Sequence, residues 1–184
     1  MIKKYFIRIF AIFSLFFLGC STTTRQTDDT PQAVKNLQKF KFVTVEHPNI
    51  AAPYFTLTDD KGNTFTSNDL KAKVYILQGF APGCSSCARE IAILNKVYDK
   101  FKDKGLEIIS LDIASEDISG AIDTKQQFNG GNWRWTIDTD NVAVKFEMRT
   151  LESTYLVDKE GIIRYKDESI SDSDILSKEI EKLI

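Results

Sequence analysis

Residues 73–101 combine an apolar run, two closely spaced cysteines and a helical pattern, and no other stretch constrains the fold as strongly. The run "KVYILQGF" has the length of a strand and is largely apolar, as is typical of a central strand buried on both faces. After the cysteines, apolar residues recur at helical spacing at positions 91, 94, 97, 98 and 101. Cys84 and Cys87 are therefore predicted at the junction between a buried strand and a helix.

The rest of the chain alternates strand and helix patterns. Residues 52–66 predict a hairpin around a turn rich in Asp, Gly and Asn, "LEIISLDI" predicts a second buried strand, and "STYLVD" with "IIRYKD" predicts a closing hairpin. Helices are predicted after Ser115 as cap, within "NVAVKFEM", and at the C-terminus after Ser171 or Ser173 as cap, whereas "NWRWTID" predicts a loop. This order indicates a single α/β domain built on a mixed sheet.

The first 40 residues do not belong to that domain. Residues 1–19 have the basic start and short apolar run of a signal peptide, and the run is too short for a comfortable membrane span. "FFLGC" resembles a bacterial lipobox, which implies cleavage before Cys20 and a lipid on Cys20 that attaches the protein to a membrane. Residues 20–40 are polar and predict a flexible tether, so the folded domain is predicted at 41–184, in the cell envelope outside the cytoplasm.

Composition and charge exclude some classes of function. The 184 residues suffice for one domain with a sizeable core, and a net charge of -2 gives no indication of a nucleic-acid partner. The chain has three cysteines, and if Cys20 carries a lipid, Cys84 and Cys87 are the thiols that remain. The pair then lies in a compartment where disulfides persist.

The Cys84–Cys87 pair admits three interpretations. A metal site needs about four ligands, and besides the two thiols the chain offers one histidine, His47, far away in sequence, so no metal is predicted. A structural disulfide would close a very small loop and stabilise the fold little. Thiol–disulfide exchange needs an exposed thiolate and a second thiol within reach, and a helix start favours the thiolate. In that case Cys84 is the nucleophile and Cys87 resolves the mixed disulfide.

A resemblance to a known family supports the third interpretation. The Pro53–Leu57 segment, the Asp59–Gly62 turn, the "APGCSSC" motif and "STYLVDKEGIIRY" resemble the TlpA/ResA group of exported thiol oxidoreductases, over residues 45–184 or so. The resemblance implies a thioredoxin-like fold, with a central mixed β-sheet flanked by helices and an N-terminal β-hairpin extension. It further implies a thiol–disulfide oxidoreductase, here expected to act as a reductase, without a cofactor. Its implied partners are exported cysteine-containing proteins and a membrane dithiol electron donor.

The resemblance also gives a role to Glu90, three residues after the second cysteine. Members of the group often carry a glutamate at this position near the thiols, where it could accept a proton from Cys87. A carboxyl group packed beside a thiol would have a raised pKa suited to that task. The alternative is a solvent-facing glutamate in the first turns of a helix, which the helix dipole favours in any case.

Two departures from the group fall at expected substrate-contacting positions. Gly83 stands where most members have tryptophan, and Glu152 stands where a cis-proline is expected, followed by Ser153. A non-proline cis peptide costs about 3 kcal/mol, so the bond before Glu152 is predicted to be trans. If the loop "RTLEST" faces the thiols, the Glu152 carboxylate opposes thiolate formation at Cys84. The alternative for Glu152 is a solvated surface side chain.

Three rival functions remain. A peroxidase of the peroxiredoxin type would need Thr or Ser three residues before its reactive cysteine, and Ala81 occupies that position. Copper delivery of the Sco type would need a Cys-x-x-x-Cys spacing and a late histidine, which the sequence lacks, although two thiolates can hold Cu(I). A thioredoxin-like fold kept only as a binding lipoprotein is the third.

Overall fold

The computed structural model describes residues 45–184 of the chain. The predictions for the signal peptide at 1–19, the lipid on Cys20, the tether at 20–40 and the first residues of the domain lie outside the described residues. Across residues 45–184, none of the helices has both the length and the apolar character needed to cross a membrane.

The strands form one central sheet and one separate hairpin. In chain order they are β1 (Val45–Glu46), β2 (Ile50–Ala51), β3 (Thr56–Thr58), β4 (Thr64–Thr66), β5 (Tyr75–Phe80), β6 (Glu107–Asp112), β7 (Arg134–Ile137), β8 (Thr154–Val157) and β9 (Ile162–Asp167). The central sheet has the order β1-β9-β8-β5-β6-β7, with β2 also paired to β9, and β3 pairs with β4. The pairs β5–β6 and β6–β7 are parallel, whereas β5–β8 and β8–β9 are antiparallel. The predicted mixed sheet and both predicted hairpins are present.

Helices cover both faces of this sheet. They are α1 (Ser85–Phe101), α2 (Ser119–Gln127), α3 (Val142–Lys145) and α4 (Ser173–Glu181). One apolar core joins α1, α2 and α4 to the sheet, and a second core joins the β3–β4 hairpin and α3 to it. Neighbouring residues of β5 alternate between the cores, so that Ile76 belongs to the first and Leu77 to the second. This arrangement explains why β5 is a nearly continuous apolar run.

Three local predictions were wrong. "NWRWTID" contains strand β7, because Trp135 and Thr136 are fully buried beside β6 and pair with it. Ser115 does not cap α2, since its hydroxyl donates to the buried carboxylate of Asp112 and the helix begins four residues later. The last helix is capped by Asp172, whose carboxylate accepts hydrogen bonds from the backbone N–H groups of residues 174 and 175.

Candidate active site

Cys84 and Cys87 form a disulfide at the carboxyl end of β5, where α1 begins. Their Cα atoms are 5.2 Å apart. Cys84 is the N-cap residue of α1, and its Sγ accepts a hydrogen bond of 3.1 Å from the backbone N–H of Cys87. Cys84 is half-buried, while Cys87 is fully buried in the apolar core. Cys84 is thus the more accessible residue of the pair, as expected for a nucleophile beside a buried resolving thiol.

Gly83 is exposed and has a left-handed backbone, with φ of +75°. A Cβ at this position would meet no atom within 4 Å, so space does not require glycine here. The positive φ does favour it, because side-chain-bearing residues rarely adopt this conformation. At the position where most members of the group carry tryptophan, this chain has an exposed glycine, and the half-buried Cys84 follows it directly. A contact between Gly83 and a substrate stays a prediction.

The Glu152 loop faces the disulfide. A carboxylate oxygen of Glu152 and the Sγ atoms of Cys84 and Cys87 all lie within 4.8 Å of one another. Ser86 connects them further, since its Oγ is 3.2 Å from the Cys84 Sγ and donates a hydrogen bond of 3.3 Å to Glu152 Oε2. Glu152 is half-buried, and the peptide bond before it is trans, as predicted. The two sulfurs and this carboxylate form a cluster, which we call the disulfide–Glu152 cluster.

Hydrogen bonds from neighbouring elements hold this loop in place. Ser153 is fully buried, its hydroxyl donates to Thr150 O over 2.8 Å, and its carbonyl accepts from the Gly79 N–H over 2.9 Å. The Thr150 hydroxyl donates in turn to Glu168 O at the end of β9. A Cβ on Gly79 would lie 3.1 Å from the Leu151 carbonyl oxygen, so the glycine permits the close approach. The Ser153 hydroxyl thus supports the loop, and a substrate contact through Ser153 stays a prediction.

Glu90 lies in the interior of the protein, whereas Glu152 is only half-buried. Glu90 is fully buried, so the solvent-facing alternative was wrong. Oε1 accepts a hydrogen bond from Thr154 Oγ1 and Oε2 accepts one from the Ser171 N–H, each over 2.8 Å. Burial raises the pKa of Glu90 above its ordinary value, hydrogen bonds from Ser171 and Thr154 oppose this, and the Asp167 carboxylate adds to the rise. A proton can therefore stay on Glu90 at a higher pH than on an exposed glutamate, and its transfer from Cys87 stays a prediction.

Several residues of this region escaped the sequence analysis. Ser86 lies between the cysteines, and its position in the motif was the available signal. Thr154 and Ser171, the two partners of Glu90, are distant in sequence from Glu90 and carry no pattern that links them to it. His47 does not join the disulfide–Glu152 cluster; its Nε2 lies 3.6 Å from a carboxylate oxygen of Glu179 on α4. Trp133 and Trp135 are buried and stacked on each other, so they are packing residues.

Comparisons with known proteins agree with this geometry. The model of the AhpC/TSA family matches residues 48–166. The thiol-disulfide oxidoreductase ResA of Bacillus thuringiensis (strain Al Hakam) is 31% identical over 113 residues, which are 60% of this chain and 63% of the relative. ResA of Bacillus subtilis (strain 168) is 30% identical over 111 residues, covering 60% and 61%. The match thus spans less than two thirds of the length of these curated relatives.

Solved structures share this fold. The thioredoxin domain of a thiol-disulfide oxidoreductase from Bacteroides vulgatus is 29% identical, with a TM-score of 0.64, and the match covers 73% of this chain and 95% of that domain. A thiol:disulfide interchange protein from Bacteroides sp. is 26% identical, with a TM-score of 0.63, covering 74% and 89%. Because the family model spans more than half of the chain and these structures share its fold, the chain belongs to the AhpC/TSA family, has the thioredoxin-like fold and groups with TlpA/ResA-like proteins.

Proposed function

We propose that this chain is a thiol–disulfide oxidoreductase that acts outside the cytoplasm and reduces disulfides in exported proteins. The observation that carries the proposal is the position of its disulfide. Cys84 is half-buried at the N-cap of α1 and Cys87 is fully buried one turn further. The names of the ResA relatives and the absence of Thr or Ser at Ala81 favour this function over a peroxidase.

The proposed reaction has two exchange steps. The Cys84 thiolate attacks a client disulfide, a Cys84–client disulfide forms, and the client's other sulfur leaves as a thiolate. Cys87 then loses its proton, for which Glu90 is the proposed acceptor, and its sulfur attacks the Cys84 sulfur. The Cys84–Cys87 disulfide forms, the client leaves as a thiolate, and the client has gained two electrons. A membrane dithiol donor returns two electrons to the cysteine pair and is itself oxidised.

Attachment through a lipid on Cys20 is part of the proposal. It rests on the signal-peptide pattern and the "FFLGC" motif, both outside the described residues. Cys20→Ala is expected to block lipidation and leave a precursor that retains residues 1–19. Mass spectrometry of the membrane and soluble fractions checks this; normal processing and membrane retention of the variant would contradict it.

Trapping of the mixed disulfide tests the exchange reaction. Cys87→Ser keeps the attacking thiol and removes the resolving one. Client proteins should therefore accumulate as mixed disulfides with Cys84, which a reductant cleaves. Cys84→Ser is the matched control and should trap none, since its remaining thiol is buried. Adducts in equal amount on both variants, or on neither, would contradict the proposed function.

A second candidate function is delivery of a soft metal ion. It is supported by the disulfide–Glu152 cluster, since reduction would leave two thiolates and a carboxylate within one ion's reach. Anaerobic titration of the reduced protein with Cu(I), in competition with a chelator, distinguishes the two functions. Stoichiometric binding that Cys84→Ser abolishes would favour metal delivery, and binding no tighter than that of the variant would remove it.

A further inference from the structure

We propose that Glu152 makes this site select clients whose reacting cysteine is flanked by lysine or arginine. The inference rests on the proposed exchange function and adds the class of substrate. Its starting point is distance. A client sulfur bonded to Cys84 lies about 2 Å from the Cys84 Sγ. Since that Sγ is within 4.8 Å of a Glu152 carboxylate oxygen, the client sulfur lies within about 7 Å of the same oxygen.

Within residues 45–184, no ion pair neutralises the charge of Glu152. Its contact in the described part of the chain is the hydrogen bond from the Ser86 hydroxyl, and no basic group of residues 45–184 lies within 4.0 Å of its carboxylate. Arg149, three residues earlier, is instead paired with Glu168 and Glu46. Arg89, three residues after Ser86 on α1, is exposed and forms no ion pair with Glu152. In the described part of the chain, the carboxylate therefore has no basic partner and presents its negative charge beside the reacting sulfurs.

The loop keeps that charge in place. Ser153 Oγ to Thr150 O, Thr150 Oγ1 to Glu168 O, and Gly79 N to Ser153 O anchor the loop on both sides of Glu152. A docking client cannot move the backbone at Glu152 without breaking these hydrogen bonds, one of which belongs to the fully buried Ser153. The loop therefore keeps Glu152 beside the disulfide, and the Ser86 hydroxyl holds its carboxylate there.

The consequence for a client follows from its own charge. While Cys84 attacks, negative charge is spread over the attacking sulfur, the client sulfur and the leaving sulfur, and Glu152 repels this charge at the client sulfur. A lysine or arginine beside the client cysteine offsets that repulsion and gains an attractive contact with Glu152. An acidic neighbour adds a second repulsion. Charge pairs at this separation near a protein surface correspond to a rate difference of roughly three- to tenfold.

A panel of model peptides tests the inference. Three peptides differ only in the residues that flank one cysteine, which are lysine, glutamine or glutamate, and each carries a chromophoric aromatic thiol as its mixed disulfide. The reduced full-length chain in neutral detergent attacks them, and the released aromatic thiolate reports the rate. Dividing each rate by that with dithiothreitol removes the intrinsic reactivity of the peptide.

We expect the lysine peptide to react roughly three- to tenfold faster than the glutamate peptide, with a ratio that shrinks as salt is added. E152Q should bring the ratio close to one and E152K should invert it, whereas the exposed control E160Q should preserve it. An unchanged ratio in E152Q and E152K would overturn the inference while leaving the exchange function intact. If none of the three peptides releases its aromatic thiolate faster with the native chain than with Cys84→Ser, the proposed function is overturned and this inference with it.

Discussion

Glu90 and Glu152 both belong to the candidate active site, yet the protein surrounds them differently. Glu90 lies on the buried face of α1, one helical turn beyond Cys87, and both of its oxygens accept short hydrogen bonds. Glu152 lies on a loop, half-exposed, with one longer hydrogen bond from Ser86. Burial raises the pKa of Glu90 and suits it to hold a proton, whereas Glu152 offers a charge that the solvent and a client can meet.

The comparison teaches that the two carboxylates are expected to act at different stages. Glu90 is fully buried on α1, one turn after the buried Cys87, and its action on this resolving thiol stays a prediction. The environment of Glu152 is the surface beside Cys84, so it is placed to act on the attacking thiol and on the client. Substituting each glutamate in turn separates these roles.

The largest expected effect comes from replacing each glutamate by alanine. Glu90→Ala leaves the Ser171 N–H and the Thr154 hydroxyl without their acceptor in the interior, which should lower the free energy of unfolding by about 2–3 kcal/mol. Glu152→Ala should change it by less than about 0.5 kcal/mol, because its surroundings are partly solvated. Urea unfolding of the oxidised variants measures both. Similar losses for the two variants would break the comparison.

The second expected effect concerns the two thiols that the glutamates accompany. In the reduced protein, iodoacetamide at slightly acidic pH should modify Cys84 at least about tenfold faster than Cys87, because Cys84 is half-buried whereas Cys87 is fully buried, and because the helix-start position of Cys84 favours the thiolate. Peptide mapping after a short reaction gives the two rates. Faster modification of Cys87 would reverse the assignment of nucleophile and resolving thiol.

The third prediction sharpens the description of Glu90 through its pH dependence. The pKa of Glu90 is raised above the ordinary 4.5, so the folded chain holds this proton more tightly than the unfolded chain. Its contribution to stability is therefore complete below the ordinary pKa and declines as pH rises through the raised one. Glu90→Gln, which can accept from Ser171 N–H and donate to Thr154, should abolish this decline of up to about 1.4 kcal/mol per pH unit.

Unfolding free energies of the native chain, Glu90→Gln and the surface control Glu160→Gln, measured from about pH 4 to about pH 8, test this. The control should follow the native chain. A decline that persists unchanged in Glu90→Gln would assign it to another group, for which the neighbouring Asp167 is the first candidate.

The smallest expected effect is that of Glu152→Gln on the Cys84 thiolate. Removing one negative charge at this distance is worth about 1 kcal/mol, so the thiolate fraction below neutral pH should increase roughly fivefold. Alkylation of Cys84 should accelerate by that factor, while the Glu160→Gln control should alkylate at the native rate. Equal Cys84 rates in Glu152→Gln and the native chain would show that the carboxylate does not act on this thiol.

Local patterns predicted most of the elements, because burial on one or two faces imposes a period that a sequence displays. The strand before the cysteines, the helix after them and the closing hairpin are present with bounds close to those expected. The wrong predictions fell where a tertiary partner decided the outcome. "NWRWTID" contains strand β7 because it pairs with β6. Ser115 does not cap a helix because its hydroxyl donates a hydrogen bond to Asp112.

The sequence by itself determined most of the order of strands and helices, and it placed Cys84 at a helix start with Cys87 one turn later, because these depend on residues close together in the chain. Only the tertiary structure decided what surrounds them. Thr154 is 64 residues from Glu90 and Ser171 is 81, and the contact of Ser86 with Glu152 spans 66. Such contacts arise where β8 folds back beside β5 and α4 packs on α1, and no short-range period encodes them. Two residues of the same type thereby came to lie in different surroundings, Glu90 in the interior with a raised pKa and Glu152 half-buried beside the disulfide.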